Sequence, residues 1–237
     1  MIVIKYIIVF LTSCWLFGAE ISSNVPNYTG FNYIVKNNSN ASIKFSNPNY
    51  TFELIQSKNG SLYKKPVFSY SSHTSNSGSP DLPSRTTFIA VDPKKSYTID
   101  VTFRASRDIE NIEIAPKGPW ENNTSEIQHI DANYSGIENY YPKNIASISE
   151  PMAMRELSLL SLTVSPFRYF PEEKRLVEFL DIEVELIETG TRESNTFFPS
   201  KRSRAFEPLY ESLIENYSSL NRELIPYQRP SILYVLP

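Results

Sequence analysis

The stretch YTIDVTF, residues 97–103, decides the fold class, because apolar and polar residues alternate along its whole length. Successive side chains of an extended chain point to opposite faces, so the apolar residues from Tyr97 to Phe103 would share one face. The two threonines and Asp100 would share the other face. This period of two predicts a β-strand with one buried face and one solvated face.

Shorter strand patterns precede this stretch. Residues 86–91 have strand composition, and the sequence DPKK, residues 92–95, is typical of a turn. We therefore expect 86–91 to pair with 97–103. Nearer the N-terminus, Asn-rich stretches typical of turns separate three segments of strand composition, which are residues 33–35, 42–45 and 50–55.

Two segments nearer the C-terminus predict a hairpin. Residues 157–164 form a nearly continuous apolar run of strand length, and residues 180–186 alternate between apolar residues and acids. The charged sequence PEEK, residues 171–174, lies between them and is typical of a turn. We therefore expect the two segments to pair antiparallel, with one acidic face in solvent.

Composition limits the functions open to the chain. A net charge of −3 leaves no excess of positive charge to bind nucleic acid, so no nucleic-acid partner is predicted. Cys14 is the single cysteine in 237 residues, so we expect no disulfide, thiolate metal site or cysteine nucleophile in the rest of the chain. His73 and His129 have no cysteine nucleophile near them in the sequence and are expected to be ordinary exposed side chains. We predict no catalytic residue, no metal and no cofactor.

The N-terminus has the pattern of a secretory signal. Lys5 precedes an almost wholly apolar run over residues 6–17, and the small residues Gly18-Ala19 follow. Residues 1–19 are therefore predicted to be a signal peptide cleaved after Ala19, leaving a protein that is secreted or at the cell surface with no membrane span. The sequence LTSC, residues 11–14, also resembles a lipoprotein box, so lipidation of Cys14 is an alternative.

The last forty residues change character. The basic run KRSR, residues 201–204, is followed by Leu209, Leu213, Tyr217 and Leu220 at helical spacing, with Pro208 suited to a first turn. The sequence PSILYVLP, residues 230–237, then predicts a strand buried on both faces. Such strands belong to parallel sheets with helices on each side, so the remainder of that sheet is expected beyond residue 237.

Several short motifs, taken in order, resemble the front end of gingipain-type cysteine peptidases, whose catalytic domain is caspase-like. GSPDLP at 78–83 and EPMAMR at 150–155 each lead into a strand, and VSPFRY at 164–169 leads into a turn and a further strand. The C-terminal motifs FxxLY at 206–210 and IxNY at 214–217 are similar to the segment joining prodomain to catalytic domain. The resemblance covers roughly residues 50 to 237.

This resemblance implies a mainly β chain with four parts. Residues 1–19 would be the signal peptide, 20–200 an antiparallel β-sandwich propeptide domain, 201–229 a processing and linker segment with a short helix, and 230–237 the first strand of a truncated peptidase domain. The propeptide would inhibit its own downstream peptidase domain and assist its folding. The catalytic His and Cys of the family would lie beyond residue 237.

Two sets of residues are predicted to act in this role. Lys201, Arg202 and Arg204 are the candidate processing site, because a trypsin-like or self-cleaving peptidase requires a basic residue on an exposed, flexible stretch. Residues 115–149 show no clean period and are the candidate inhibitory loop, with Lys117 and Lys143 as the residues that would enter a pocket for basic side chains.

Two other functions fit the same sequence. A cell-surface β-sandwich that binds sugar or protein, like an adhesin module, would have the same strands and aromatic residues. A surface transpeptidase of a secretion system, a sibling within the family, would have the same front end without processing at the basic run.

Overall fold

The computed structural model describes residues 30–36, 40–57, 60–74, 76–118, 134, 137, 139–193 and 201–229. The predicted signal peptide with Ala19 and Cys14, and the predicted terminal strand 230–237, lie outside the described residues. Within the described residues, no helix is long and apolar enough to cross a membrane.

The strands of the described residues are β1 (Phe31–Val35), β2 (Asn40–Phe45), β3 (Thr51–Gln56), β4 (Leu62–Val67), β5 (Ser72–His73), β6 (Pro83–Ala90), β7 (Lys95–Ile109), β8 (Ala146–Ile148), β9 (Met152–Met154), β10 (Leu157–Val164), β11 (Phe167–Phe170) and β12 (Arg175–Thr191). These strands form two antiparallel sheets and a separate hairpin. Sheet 1 has the order β1-β2-β12-β11, with β7 also paired to β12, and sheet 2 has the order β5-β6-β10-β8, with β9 also paired to β10. The hairpin is formed by β3 and β4.

The main core lies between the two sheets. Ile43 of β2 and Val184 of β12 in sheet 1 are buried in the same cluster as Leu160 and Leu162 of β10 in sheet 2. Burial alternates over residues 182–186 of β12 as the sequence predicts, because every second residue from Ile182 to Leu186 faces this core. The prediction of a mainly β fold built from antiparallel sheets is confirmed.

The stretch 97–103 is part of β7, the longer strand Lys95–Ile109. Tyr97, Ile99 and Val101 pack against the main core and are half-buried, as predicted. Phe103 departs from the pattern, since it is 47% exposed and contacts Phe179 with ring centroids 4.7 Å apart. The alternation therefore identifies the strand and most of its buried face.

Two predicted strand pairings are wrong. Strand β6, which contains residues 86–90, pairs with β10 in sheet 2, whereas β7 pairs with β12 in sheet 1. The turn at 92–95 therefore connects the two sheets. Across the turn at 171–174, β12 pairs with β11 and not with β10, which lies on the other side of the core. Apolar periodicity predicts which face of a strand is buried but carries no information on its hydrogen-bonded neighbour.

Helix α1 (Glu207–Leu213) begins with Pro208 in its first turn, as predicted, and a 3₁₀ turn follows at Tyr217–Ser219. The predicted helical face through Leu209, Leu213, Tyr217 and Leu220 is not continuous, because α1 ends at Leu213 and Tyr217 lies in the 3₁₀ turn. Tyr210 and Ile214 are the buried residues, while Leu209 and Leu213 are 39% and 40% exposed. Both pairs have the i, i+4 spacing of one helix face, so spacing alone does not distinguish them.

Replacing Leu162 in the middle of β10 tests the position of the core. Leu162 is 0% exposed, so Leu162→Ala is expected to lower the free energy of unfolding by about 3 kcal/mol through lost burial and a cavity. The matched control is Leu62→Ala on β4, where the side chain is 61% exposed and the expected change is within about 0.5 kcal/mol. Urea unfolding measures both, and equal losses would contradict the placement of Leu162.

Candidate functional site: a held loop base and a docked C-terminal segment

The candidate inhibitory loop lies between two well-anchored stretches of chain. Residues 119–133 of this loop lie outside the described residues. The stretches on either side, 112–118 and 139–146, are described, and together they are called the loop base here. Their contacts show how the ends of the loop are held.

Backbone hydrogen bonds hold the N-terminal side of the loop base against β4 and the GSPDLP motif. Ala115 donates to the carbonyl of Lys64 at 2.9 Å and accepts from the amide of Asp81 at 2.8 Å. Lys117 donates to the carbonyl of Ser79 at 2.7 Å, and Gly78 donates back to Lys117 at 2.8 Å. The chain thus enters the loop through strand-like pairing on both sides.

Asp81 is the ionic centre of this motif. Its side chain is 8% exposed and lies 3.0 Å from Nδ1 of His73 and 3.2 Å from Nζ of Lys65. Burial opposes ionisation of Asp81, but the hydrogen bond from His73 and the positive charges of Lys65 and Lys117 outweigh it and hold its pKa below the usual value. The carboxylate therefore ties β4, β5 and the start of the loop together.

The expectation of an exposed His73 is wrong, since its side chain is 18% exposed and bonded to Asp81. Nε2 of His73 lies 3.5 Å from the hydroxyl of Ser71, so serine, imidazole and carboxylate follow each other in the order of a hydrolase triad. The Ser71 hydroxyl, however, donates its proton to the carbonyl of Phe68 at 2.8 Å. The imidazole therefore does not activate this hydroxyl, and the cluster has the geometry of a structural clamp.

The C-terminal side of the loop base is held by β11. Tyr141 and Tyr169 exchange two backbone hydrogen bonds of 2.9 and 2.7 Å. The guanidinium of Arg168 donates to the carbonyls of Pro142 at 3.3 Å and Lys143 at 2.8 Å. A cationic donor with two main-chain acceptors restrains this stretch where it leaves the loop.

Tyr169 joins the two sides of the loop base. It is 1% exposed, and its hydroxyl donates to the carbonyl of Ile112 at 3.1 Å, while its backbone pairs with Tyr141. The ring of Tyr134 packs edge-on against it with centroids 5.6 Å apart, and the Tyr134 hydroxyl donates to the carbonyl of Ile114. One buried residue therefore holds both ends of the loop, one through its side chain and the other through its backbone.

The two predicted lysines lie at opposite ends of the loop. Lys117 is half-buried, and its charge acts on Asp81. Lys143 is exposed and lines an open groove of about 580 Å³ between β7 and β8. Of the two side chains, Lys143 is therefore the more accessible to a partner.

The segment 201–229, called the C-terminal segment here, packs on the outer face of sheet 2. Tyr210 and Ile214 are buried in one cluster with Ala90 and Leu159. The amide of Asn216 donates to the carbonyl of Ala90 at 2.9 Å and accepts from its N–H at 2.8 Å. The Asn216 side chain thus satisfies backbone groups as a neighbouring strand would.

A buried ion pair also holds the C-terminal segment. Arg222 lies 3.0 Å from Glu156, and their side chains are 7% and 4% exposed. Tyr210 donates to the same carboxylate at 3.0 Å, and burial together with this carboxylate raises the pKa of Tyr210 to about 12. The neutral phenol therefore remains a donor at neutral pH, and Glu156 binds two residues of the C-terminal segment, Tyr210 and Arg222.

The basic run begins this docked segment. Arg202 forms two hydrogen bonds of 2.9 Å with Glu207, and its backbone bonds to Pro226 and Gln228. Lys201 and Arg204 are exposed, although Arg204 stacks on the ring of Tyr227 at 4.9 Å. The three candidate processing residues therefore differ, since Arg202 is engaged and the other two are accessible.

Sequence reasoning missed the residues that organise both regions. Asp81 and Tyr169 lie inside the quoted motifs, but Tyr169, Glu156 and Asn216 bind partners that are distant in sequence. Asp81 binds His73, which lies eight residues earlier, and no sequence pattern links the two. An acid within a Pro-rich turn and a tyrosine next to an arginine carry no pattern that indicates burial. Only the fold brings these partners together.

The substitution Asp81→Asn tests the clamp under the loop base. A folded-state pKa below that of the unfolded chain stabilises the fold above pH about 4, and this stabilisation is lost as the pH falls through the folded-state value. We expect Asp81→Asn to cost about 2 kcal/mol at pH 7 and progressively less below pH 4. Urea unfolding across this pH range measures it, with the exposed Asp100→Asn as control. A difference that does not depend on pH would contradict the ionic role.

The substitution Glu156→Gln tests the docking of the C-terminal segment. It leaves the buried guanidinium of Arg222 without its carboxylate, so we expect a loss of about 3 kcal/mol and faster proteolysis within residues 201–229. The control is Glu150→Gln, because Glu150 is 92% exposed in its pair with Arg192 and is expected to contribute less than about 0.5 kcal/mol. Similar effects of the two substitutions would contradict the buried pair.

Comparisons with known proteins match this architecture. The chain matches the Propeptide_C25 family over residues 26–216. Gingipain R2 of Porphyromonas gingivalis is 26% identical over 182 residues, which is 75% of this chain and 25% of that protein. Gingipain R1 of the same organism is 24% identical over 178 residues, which is 74% of this chain and 18% of that protein. The chain thus spans about a quarter or less of the length of these curated relatives.

Two solved structures share the fold. The complex of Porphyromonas gingivalis RgpB pro- and mature domains has a TM-score of 0.70 at 22% identity, covering 81% of this chain and 98% of that chain. A structure on the zymogenic latency of gingipain K from the same organism has a TM-score of 0.57 at 16% identity, covering 68% of this chain and 93% of that chain. Because the family match covers most of the chain, the protein belongs to the Propeptide_C25 family and contains a propeptide of the gingipain type.

Proposed function

We propose that the chain carries the propeptide of a secreted gingipain-like cysteine endopeptidase, which keeps a catalytic domain beyond residue 237 inactive and assists its folding. The single observation that carries this proposal is the convergence of both ends of the candidate loop on Tyr169. The match to the Propeptide_C25 family supports it. The family match also favours this role over an adhesin-like surface module.

The held loop base supports inhibition on physical grounds. A loop that is ordered before binding loses less conformational entropy when it enters a cleft, so it binds more tightly than a flexible loop with the same contacts. The backbone pairing at Ala115 and Tyr141 supplies this order at both ends. Residues 119–133 contain no Lys or Arg, so Lys117 and Lys143 remain the basic candidates, and exposure favours Lys143.

Cleavage at the basic run would not by itself release the propeptide. Cleavage after Lys201 or Arg204 would cut the chain, but the Glu156–Arg222 pair and the burial of Tyr210 would still hold residues 205–229 on sheet 2. The propeptide would therefore remain bound to the peptidase domain after the first cut. A second event, either another cleavage or dissociation, would complete activation.

Export is the remaining part of the proposal. Residues 1–19 would direct secretion with cleavage after Ala19, and the mature protein would be secreted or remain at the cell surface. Lipidation at Cys14 remains the alternative to this cleavage.

The test is latency of the full-length precursor. A propeptide tethered to its target has an effective concentration in the millimolar range, so even micromolar affinity would suppress activity on peptide substrates by about 1,000-fold. We expect this activity to appear only after proteolysis, and N-terminal sequencing should detect a cut at 201–204. The double substitution K201A/R204A should prevent that cut.

The control is Arg202→Ala, which leaves both accessible basic residues in place and should still allow the cut. Full activity of the intact precursor would contradict the inhibitory role. Maturation with residues 201–204 intact would contradict only the processing site and would favour the transpeptidase-like alternative.

A further inference from the structure

Helix α1 has apolar side chains on two sides, and only one of these sides packs against sheet 2. Tyr210 and Ile214 face sheet 2 and are 0% and 3% exposed. Leu209 and Leu213, which also lie one turn apart, are 39% and 40% exposed. A helix with apolar residues on two faces is typical of one that is buried between two bodies.

The chain after α1 also carries exposed apolar side chains. Leu224 is 91% exposed, the highest value among the large hydrophobic residues that the structure describes, and Ile225 and Tyr227 are 37% and 36% exposed. Arg202 ties this stretch to the start of α1, because its amide donates to Pro226 at 3.0 Å and its guanidinium binds Glu207. The exposed residues therefore belong to one restrained segment.

This surface lies at the exit of the chain toward the downstream domain. Ile232 lies five positions after Tyr227 in the sequence, and this stretch of chain spans at most about 18 Å when fully extended. Residues 232–236 are all apolar. Any domain that begins there is therefore held within reach of Leu224 and the outer face of α1, whatever its orientation.

We propose that Leu209, Leu213 and Leu224 form the docking surface on which the downstream catalytic domain of the same chain packs. This inference rests on the proposed function and adds to it a contact separate from the inhibitory loop. The sequence pattern at 209 and 213 thus indicates burial correctly, but the burying partner is the next domain and not the β-sandwich. One side of α1 holds the propeptide and the other side holds the peptidase.

A second exposed apolar pair provides an internal reference. Leu54 of β3 and Leu62 of β4 are 67% and 61% exposed, on a hairpin whose partner residues are within the propeptide itself. The proposed docking surface does not include this hairpin. These two leucines should therefore remain accessible in the full-length protein.

Hydroxyl-radical footprinting of the purified latent precursor tests the proposal. We expect Leu209, Leu213 and Leu224 to be modified roughly fivefold more slowly than Leu54 and Leu62, because the centre of an interface is excluded from water. Unfolding in denaturant should remove the difference. Modification of Leu224 as fast as Leu62 in a latent precursor would overturn the docking surface while leaving the inhibitory function in place.

The dependence of protection on protein concentration and the activity of the precursor distinguish the remaining outcomes. Protection that disappears on dilution would show that a second copy covers the surface, and this would also overturn the proposal. A precursor that is fully active would refute the proposed function itself, whichever leucines are protected.

Substitutions provide an independent measurement. In the uncleaved latent precursor, Leu213→Ser and Leu224→Ser should each make limited proteolysis within residues 205–229 about tenfold faster, since each removes the burial of one aliphatic side chain. Leu54→Ser is the matched control and should leave the rate of cleavage in this segment unchanged. Equal cleavage rates for all three variants would count against the docking surface.

Discussion

Both ends of the candidate inhibitory loop depend on one buried tyrosine. Tyr169 of β11 pairs through its backbone with Tyr141 on one side of the loop, and its hydroxyl binds the carbonyl of Ile112 on the other side. Because β11 is itself paired to β12 at the centre of sheet 1, the position of the loop is set by the rigid part of the fold. Binding residues on a loop are positioned in this way when a scaffold holds both of the loop's ends.

The C-terminal segment shows how a connecting region can be part of the domain before it. Residues 201–229 do not leave sheet 2 as an extended linker. They contribute Tyr210 and Ile214 to an apolar cluster and Arg222 to a buried ion pair with Glu156. The segment after the expected boundary at residue 200 therefore remains packed on the sandwich, and it transmits the position of the sandwich directly to whatever follows it.

The sequence predicts which segments form strands better than it predicts which strands pair with each other. Alternation over 97–103 and 180–186 identifies two strands and their buried faces, because a period of two follows from backbone geometry alone. It does not predict that β7 pairs with β12, since both β6 and β12 offer compatible apolar faces. The site residues are harder to predict still, because Glu156 and Asn216 act through partners that are distant in sequence, and no sequence pattern links Asp81 to His73.

The amide of Asn216 has a consequence for shortened versions of the chain. It satisfies both the N–H and the carbonyl of Ala90, while Tyr210 and Ile214 cover the apolar outer face of β6 and β10. A polypeptide ending at residue 200 would present that face, with two unsatisfied backbone groups, to the solvent. Bare sheet surfaces of this kind recruit other strands, so such a truncated chain would be prone to self-association.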